Sequence, residues 1–363
     1  MTLLPNTAFT HTALPGRVVF GRGTARTALA AELDALQARR ILLIAGPAEA
    51  ALARELCAPF ADRIAATFTE VRPHVPLEAA ERARQAAAGA DAVLSIGGGS
   101  TTGTAKAVAL TTGLPIAAVP TTYAGSEVTP VWGLTQDGRK TTGTDPRVLP
   151  RTVVYDPDLT LTLPVPLSAA SGLNAMAHCV EAFWAPHRSP VSSAVAAEGI
   201  RALAAGLPAV ATDPTDLAAR TDLLLGAYLA GTAFAAAGSG LHHKICHVLG
   251  GAFDLPHAET HAIVLPHVLA FNAPAAPDAL ARISIAYGRP DPAAGLHDLG
   301  LRLGLPTGLR ELGLREDDLD TVLDGILAVV PSDNPRPVTA AGLRTLLHAA
   351  WAGAHPHGEE TTS

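Results

Sequence analysis

Residues 92–96, AVLSI, run without a break into Gly97-Gly98-Gly99-Ser100-Thr101-Thr102-Gly103 and then into an Ala-rich segment carrying Lys106. A short apolar run closed by glycines and followed by a helical pattern is a buried strand feeding a helix, and such units build parallel sheets. The same alternation recurs up to about residue 160. It predicts strands at 17–20, 41–45, 64–68, 92–96, 116–119 and 152–155, with helices such as 24–39 and 76–89 between them. From Ser168 onward, long Ala/Leu-rich segments with helical periodicity replace it. The 363 residues therefore divide into a Rossmann-like α/β domain at 1–163 and an all-α domain at 164–363. The boundary falls at Leu163-Pro164, where Pro164 and Pro166 stop a helix from running through.

The glycine turn predicts an anion site. Glycine lets backbone approach a phosphate closely, and the free N–H groups at the start of the following helix stabilise the charge. Gly97, Gly98, Gly99, Ser100 and Thr101 are the candidates. A second loop, Pro120-Thr121-Thr122-Tyr123-Ala124-Gly125-Ser126-Glu127, follows the next strand and reaches the same carboxyl edge of the sheet, adding Thr121, Thr122 and Ser126. A dinucleotide is the ligand such an edge takes.

Composition excludes other classes. With net charge −7 and 26 Lys+Arg spread along the chain, no basic stripe exists and nucleic acid is not expected as a partner. No apolar run is read as reaching the roughly 20 residues of a membrane span, so no membrane association is expected. The N-terminus lacks the pattern of an export signal, which predicts a cytoplasmic protein. Cys57, Cys179 and Cys246 form no CxxC pair and read as buried reduced thiols. A homodimer acting on a small molecule is expected.

Six of the 14 histidines fall within residues 240–267, GLHHKICHVLGGAFDLPHAETHAIVLPH. Imidazole is both a common metal ligand and the usual proton donor near neutral pH, so the block predicts a metal or an acid/base site. His243 and His247 lie four apart on one helix face. His257 follows after Gly250, Gly251 and Pro256 have ended that helix and turned the chain.

Together these stretches resemble the iron-containing alcohol dehydrogenase superfamily, and within it most closely the maleylacetate reductases. The motifs are GGGST at 97–101, PTTYAGSE at 120–127, GRKTTGTDPRVLPRTVVYDP at 138–157, SGLNAMAHCVEAFWA at 171–185 and GLHHKICHVLGGAFDLPHAETH at 240–261. The resemblance covers nearly the whole chain. It implies the dehydroquinate synthase-like fold of that superfamily, with the active site in the cleft between the two domains, and it places Lys140 against the cofactor.

Metal-dependent members hold their ion with one Asp and three His, and the matching positions here are Asn174, His178, His243 and His257. A neutral amide replaces the anionic ligand, so the set is expected to be vestigial and no metal to be required. The imidazoles are then free to bind an enolate oxygen or a substrate carboxylate and to supply a proton. His247, which adjoins the nicotinamide in the resembling enzymes, is the leading catalytic candidate, and Tyr123 is a second proton donor. For a dianionic substrate, His242 and Lys244 beside His243, then Arg139 and Arg336, are the candidate partners, with Asn174 also facing the substrate. Strict NAD enzymes of this type carry an Asp where Gly46 stands, so use of both NADH and NADPH is expected.

The reaction implied is reduction of maleylacetate to 3-oxoadipate, or of a related unsaturated keto-dicarboxylate, in the breakdown of aromatic compounds. Three alternatives stay open: a metal-dependent alcohol or aldehyde dehydrogenase, a biosynthetic enone or ketone reductase, and the lyase chemistry of the dehydroquinate synthase branch.

Overall fold

The computed structural model describes residues 9–14, 16–136 and 139–356. Six parallel strands, β1 (Arg17–Phe20), β2 (Ile41–Ile44), β3 (Ile64–Phe68), β4 (Ala92–Gly97), β5 (Ile116–Pro120) and β8 (Thr152–Tyr155), form one sheet in the order β1-β8-β5-β4-β2-β3. Strands β2, β4, β5 and β8 are buried along their whole length. That accounts for their unbroken apolar sequences, since helices cover both faces. Edge strand β3 instead alternates partly buried and exposed residues. Register aligns Gly97 with Pro120, so the two loops predicted to share an edge leave the sheet side by side.

All six predicted strands are present. Two strands were not predicted: β6 (Val131–Gln136) and β7 (Arg139–Thr144) form an antiparallel hairpin. Their sequences hold the pair together through Gly143, where a Cβ would meet the Trp132 ring at 2.6 Å. Helix 24–39 is interrupted at Ala28, where φ widens to −109°, and resumes as α1 (Leu29–Ala35). Helix 76–89 is observed as α2 (Leu77–Ala86).

Helix α3 (Gly99–Thr112) follows the glycine turn. Beyond β8 come α4 (Val165–Glu181), α5 (Pro190–Thr212), α6 (Leu217–Ala237), α7 (Leu241–Phe253) and α8 (His257–Asn272), with further short helices to Ala340–Ala352. Helix α5 corrects one expectation. Its 23 residues, with an 18-residue stretch of mean hydropathy 1.4, are long and apolar enough to cross a membrane. In the fold that apolar side is used internally: Ala196, Ile200, Leu203, Leu207 and Val210 are buried in one core with α4 and α6 residues. Glu198 and Arg201 form an ion pair on its exposed face.

Two buried cations bind the loop of the β5 edge. Lys106, on α3, donates to the carbonyls of Ser126 (2.6 Å), Thr129 (2.8 Å) and Val131 (2.8 Å) and to Thr129 Oγ1 (3.0 Å). Burial pushes its pKa down to about 7, with Glu127 opposing the shift. Arg220, on α6, is fully buried and donates to Tyr123 Oη, Ser168 Oγ and the carbonyls of Leu163 and Pro214. It thus ties the loop to the first helices of the second half. Removing the ammonium strands several buried carbonyls, each worth about 1–3 kcal/mol. Lys106→Met should therefore lower unfolding free energy by about 2–4 kcal/mol in urea titration. A loss under about 0.5 kcal/mol would show that the lysine does not hold the loop.

Candidate active site

At the sheet edge, Gly97 takes φ +150°, and a side chain there would run into Thr101. Gly98 caps α3, and a Cβ on it would lie 2.9 Å from Thr122. The loops interlock further where the Thr121 amide donates to the Gly97 carbonyl at 3.1 Å. No side chain caps the first turn of this 14-residue helix, so its amides remain available to an anion between the loops. Ser100, Thr122 and Ser126 are partly exposed around it, while Thr101 and Thr121 are buried beneath.

Gly46 follows the end of β2, the neighbouring strand, as expected of a ribose-facing position. A carboxylate lies close to this position. Glu49 folds back so that its Oε2 would lie 2.9 Å from a Cβ on Gly46. Sequence alone does not single it out, because it stands three residues beyond Gly46 and five beyond the strand.

The imidazoles come from three helices. Asn174 and His178 lie one turn apart on α4, His243 and His247 on α7, and His257 opens α8 after Asp254, in the left-handed region at φ 52°, has ended α7. The rings of His178 and His243 stack at 4.9 Å, and Phe234 of α6 packs against both. His247 lies 5.9 Å from His243 and 6.3 Å from His257 between ring centroids. The structure therefore brings together the four histidines predicted to act. His247 is exposed, His178 and His257 are partly exposed and His243 is buried.

Glu181, which sequence reasoning missed, organises this group. It is fully buried at the end of α4 and accepts hydrogen bonds from the amides of Gly240 (2.9 Å), His242 (2.6 Å) and His243 (3.4 Å), while its Oε2 lies 2.5 Å from His243 Nδ1. A signal was present: a charge within the apolar run AHCVEAFW, three residues beyond His178 on the same helix face.

Three other candidates sit elsewhere. His242 is fully buried, with Nε2 2.9 Å from Nδ1 of His261 and Cys246 Sγ 3.8 Å away, so it belongs to a layer behind the cleft and cannot reach a substrate carboxylate. Tyr123 is buried with its hydroxyl held by Arg220 at 3.1 Å, which makes it part of the core rather than a proton donor. Arg336 stacks over Phe271 at 4.5 Å. Phe271 lies fourteen residues beyond His257 on α8, about 21 Å along the helix, so Arg336 is not a partner of this cleft. Lys244 is partly exposed on α7. Arg139 and Lys140 have their backbone on β7, but their side chains lie outside the described residues.

Sequence and structure comparisons agree on a lineage. Residues 15–157 match the model of the iron-containing alcohol dehydrogenases, and residues 168–351 match that of the C-terminal part of the same family. The chain belongs to the iron-containing alcohol dehydrogenase family. It is 49% identical over 351 residues to a maleylacetate reductase of Sphingobium indicum, covering 96% of this chain and 99% of that one. A putative alcohol dehydrogenase from Ralstonia eutropha superposes with TM-score 0.94 at 52% identity, over 97% of this chain and all of that one. Maleylacetate reductase from a Rhizobium species superposes at 0.91 with 46% identity, covering 96% and 99%. The chain is accordingly an oxidoreductase acting on a small molecule.

Membership overturns the expectation that no metal is required, because an iron-containing family implies an iron cofactor. The residues present fit such an ion. Asn174 Oδ1, His178 Nδ1 and His243 Nε2 are buried polar atoms without hydrogen-bond partners. The Glu181–His243 contact is the carboxylate–imidazole pairing that orients a ligating nitrogen. Burial, aided by repulsion from the neighbouring imidazoles, holds the pKa of His178 well below its usual value, which leaves the neutral, ligating form. Asn174, His178 and His243, with His257 beside them, are the candidate donors, so the amide at 174 does not by itself exclude an ion. Asn174→Asp should tighten Zn²⁺ binding by at least about tenfold, or 1.4 kcal/mol, in competition with a chromogenic chelator. Equal affinity would mean that position 174 does not face the ion.

Proposed function

We propose that the chain reduces maleylacetate to 3-oxoadipate, or a closely related unsaturated keto-dicarboxylate, with NADH or NADPH in the breakdown of aromatic compounds. The observation that carries this reading is identity of 44–49% to relatives named maleylacetate reductase along essentially the full length of both chains. The interlocked glycine and threonine loops support it by offering uncapped helix amides to a pyrophosphate. We assign the cofactor to Gly97, Gly98, Gly99, Ser100, Thr101, Thr121, Thr122 and Ser126, at the edge where open α/β sheets take nucleotides.

Reduction of the conjugated double bond moves a hydride from the dihydronicotinamide to the β-carbon. The electron pair of the alkene shifts toward the ketone oxygen, and the α-carbon then takes a proton. Asn174, His178, His243 and His257 would hold an iron ion, which would supply Lewis-acid polarisation of a carbonyl oxygen. The protein must exclude water from the hydride path, and Phe234 walls the imidazoles on the α6 side. It must also deliver the proton. Desolvation holds His178 neutral, whereas exposed His247 is open to solvent and can be recharged with a proton after each turnover. His247 is the proton-donor and nicotinamide-side candidate, and Lys244 is the cation nearest to it in sequence for a substrate carboxylate. The same reading divides the chain at 163/164 into two domains with the cleft between them, and expects a cytoplasmic homodimer.

Oxidation of NAD(P)H, followed with maleylacetate and with simple aldehydes and ketones, tests the reading. Maleylacetate should give the highest kcat/KM; a simple aldehyde turned over faster would overturn it. His247→Ala should cost about 2–4 kcal/mol in kcat with cofactor binding nearly unchanged. Wild-type turnover in that variant would remove His247 from the chemistry.

Glu49 bears on cofactor choice. A carboxylate at the end of β2 accepts from a ribose 2′-hydroxyl and repels a 2′-phosphate. Glu49→Gln should therefore raise the NADPH-to-NADH ratio of kcat/KM by about tenfold, or 1.4 kcal/mol. An unchanged ratio would place the ribose away from Glu49.

A further inference from the structure

Glu181 is a buried carboxylate with no cationic side chain among its hydrogen-bond partners. Its oxygens accept from three backbone amides at the start of α7, where the helix dipole is positive. They therefore present lone pairs to Nδ1 of His243, 2.5 Å away. The opposite nitrogen, Nε2, is buried without a partner beside the stacked ring of His178.

We infer that Glu181 is a positioning residue that locks His243 in the Nδ1–H tautomer, so that Nε2 presents its lone pair to the donor set of the cleft. The device is economical in structure, because the same carboxylate that caps α7 selects the tautomer of a residue in its first turn. Helix position and imidazole chemistry are thereby linked: α7 cannot dock at the end of α4 without His243 turning Nε2 outward from Glu181. The inference rests on His243 belonging to the site and is independent of the substrate proposed above.

Glu181→Leu removes the acceptor that faces His243 Nδ1. Gln would not, because Gly240 and Nδ1 share Oε2 and an amide oxygen turned to that position keeps both contacts. Long-range 1H–15N correlation on chelator-treated, 15N-histidine-labelled protein reads the tautomer directly, with His243→Asn identifying the signal. Wild type should show a protonated Nδ1 and an unprotonated Nε2, and Glu181→Leu should lose that preference. Zn²⁺ affinity, measured by chelator competition, should fall about ten- to a hundredfold in Glu181→Leu. Glu181→Asp, which keeps a carboxylate, should retain the wild-type tautomer and part of the affinity. An Nε2-protonated His243 in the wild type overturns the inference even if Glu181→Leu does not fold. So does a folded Glu181→Leu with unchanged tautomer and Zn²⁺ affinity.

Discussion

The helical half is organised around one buried carboxylate. Glu181 ends α4 and receives the first amides of α7, which fixes where α7 begins and which way it points. Two consequences follow from that docking. His243, in the first turn of α7, is laid against His178 of α4, and His247, one turn on, is carried to an exposed position. The turn at Asp254 then returns the chain so that α8 opens with His257 beside them. A carboxylate without those donors would be an uncompensated buried charge costing several kcal/mol, so the motif folds as a unit or not at all.

The sheet half is held to this group by close backbone approach. Gly125, in the loop after β5, is in the left-handed region at φ 69°, and a Cβ there would meet the Ala227 carbonyl at 3.1 Å and Gly231 at 3.2 Å. Both belong to α6, the helix that also supplies Phe234 to the imidazoles and Arg220 to Tyr123. Small residues on the two sides let the threonine loop lie against the helix that walls the site. The uncapped amides of α3 and the imidazoles of α7 thus both neighbour elements packed on α6, which is what transfer between a bound nucleotide and a second ligand needs.

Much of this was legible in the sequence for physical reasons. Strands buried on both faces must be apolar throughout, so β2, β4, β5 and β8 stood out, and the glycine turn marked the edge that they feed. The β6–β7 hairpin was missed because its polar Thr and Lys residues hide the alternation, although Asp137-Gly138 between the strands is a hairpin signal. Motif spacing placed His178, His243, His247 and His257 together but could not tell depth. His242 and Tyr123 proved to be interior groups because burial depends on packing from other helices, and Arg336 was misplaced because nothing local reports a distance along α8. Glu181 was invisible to a search for ligands, since its role is to hold a ligand. The metal was misjudged by weighing one amide against a carboxylate while ignoring the carboxylate one shell further out.

The central claim is that one cleft receives both a metal ion at the imidazoles and a nicotinamide from the glycine-turn edge. Crystals soaked with Fe²⁺ and NADPH, with anomalous data collected at the iron edge, test it most directly. The account predicts an anomalous peak bounded by His178, His243, His257 and Asn174, a pyrophosphate on the amides of α3, and the nicotinamide ring next to His247. Iron seated instead among His242, Cys246 and His261, whose donor atoms lie within 4.8 Å of one another, or a nucleotide away from the glycine turn, would contradict it.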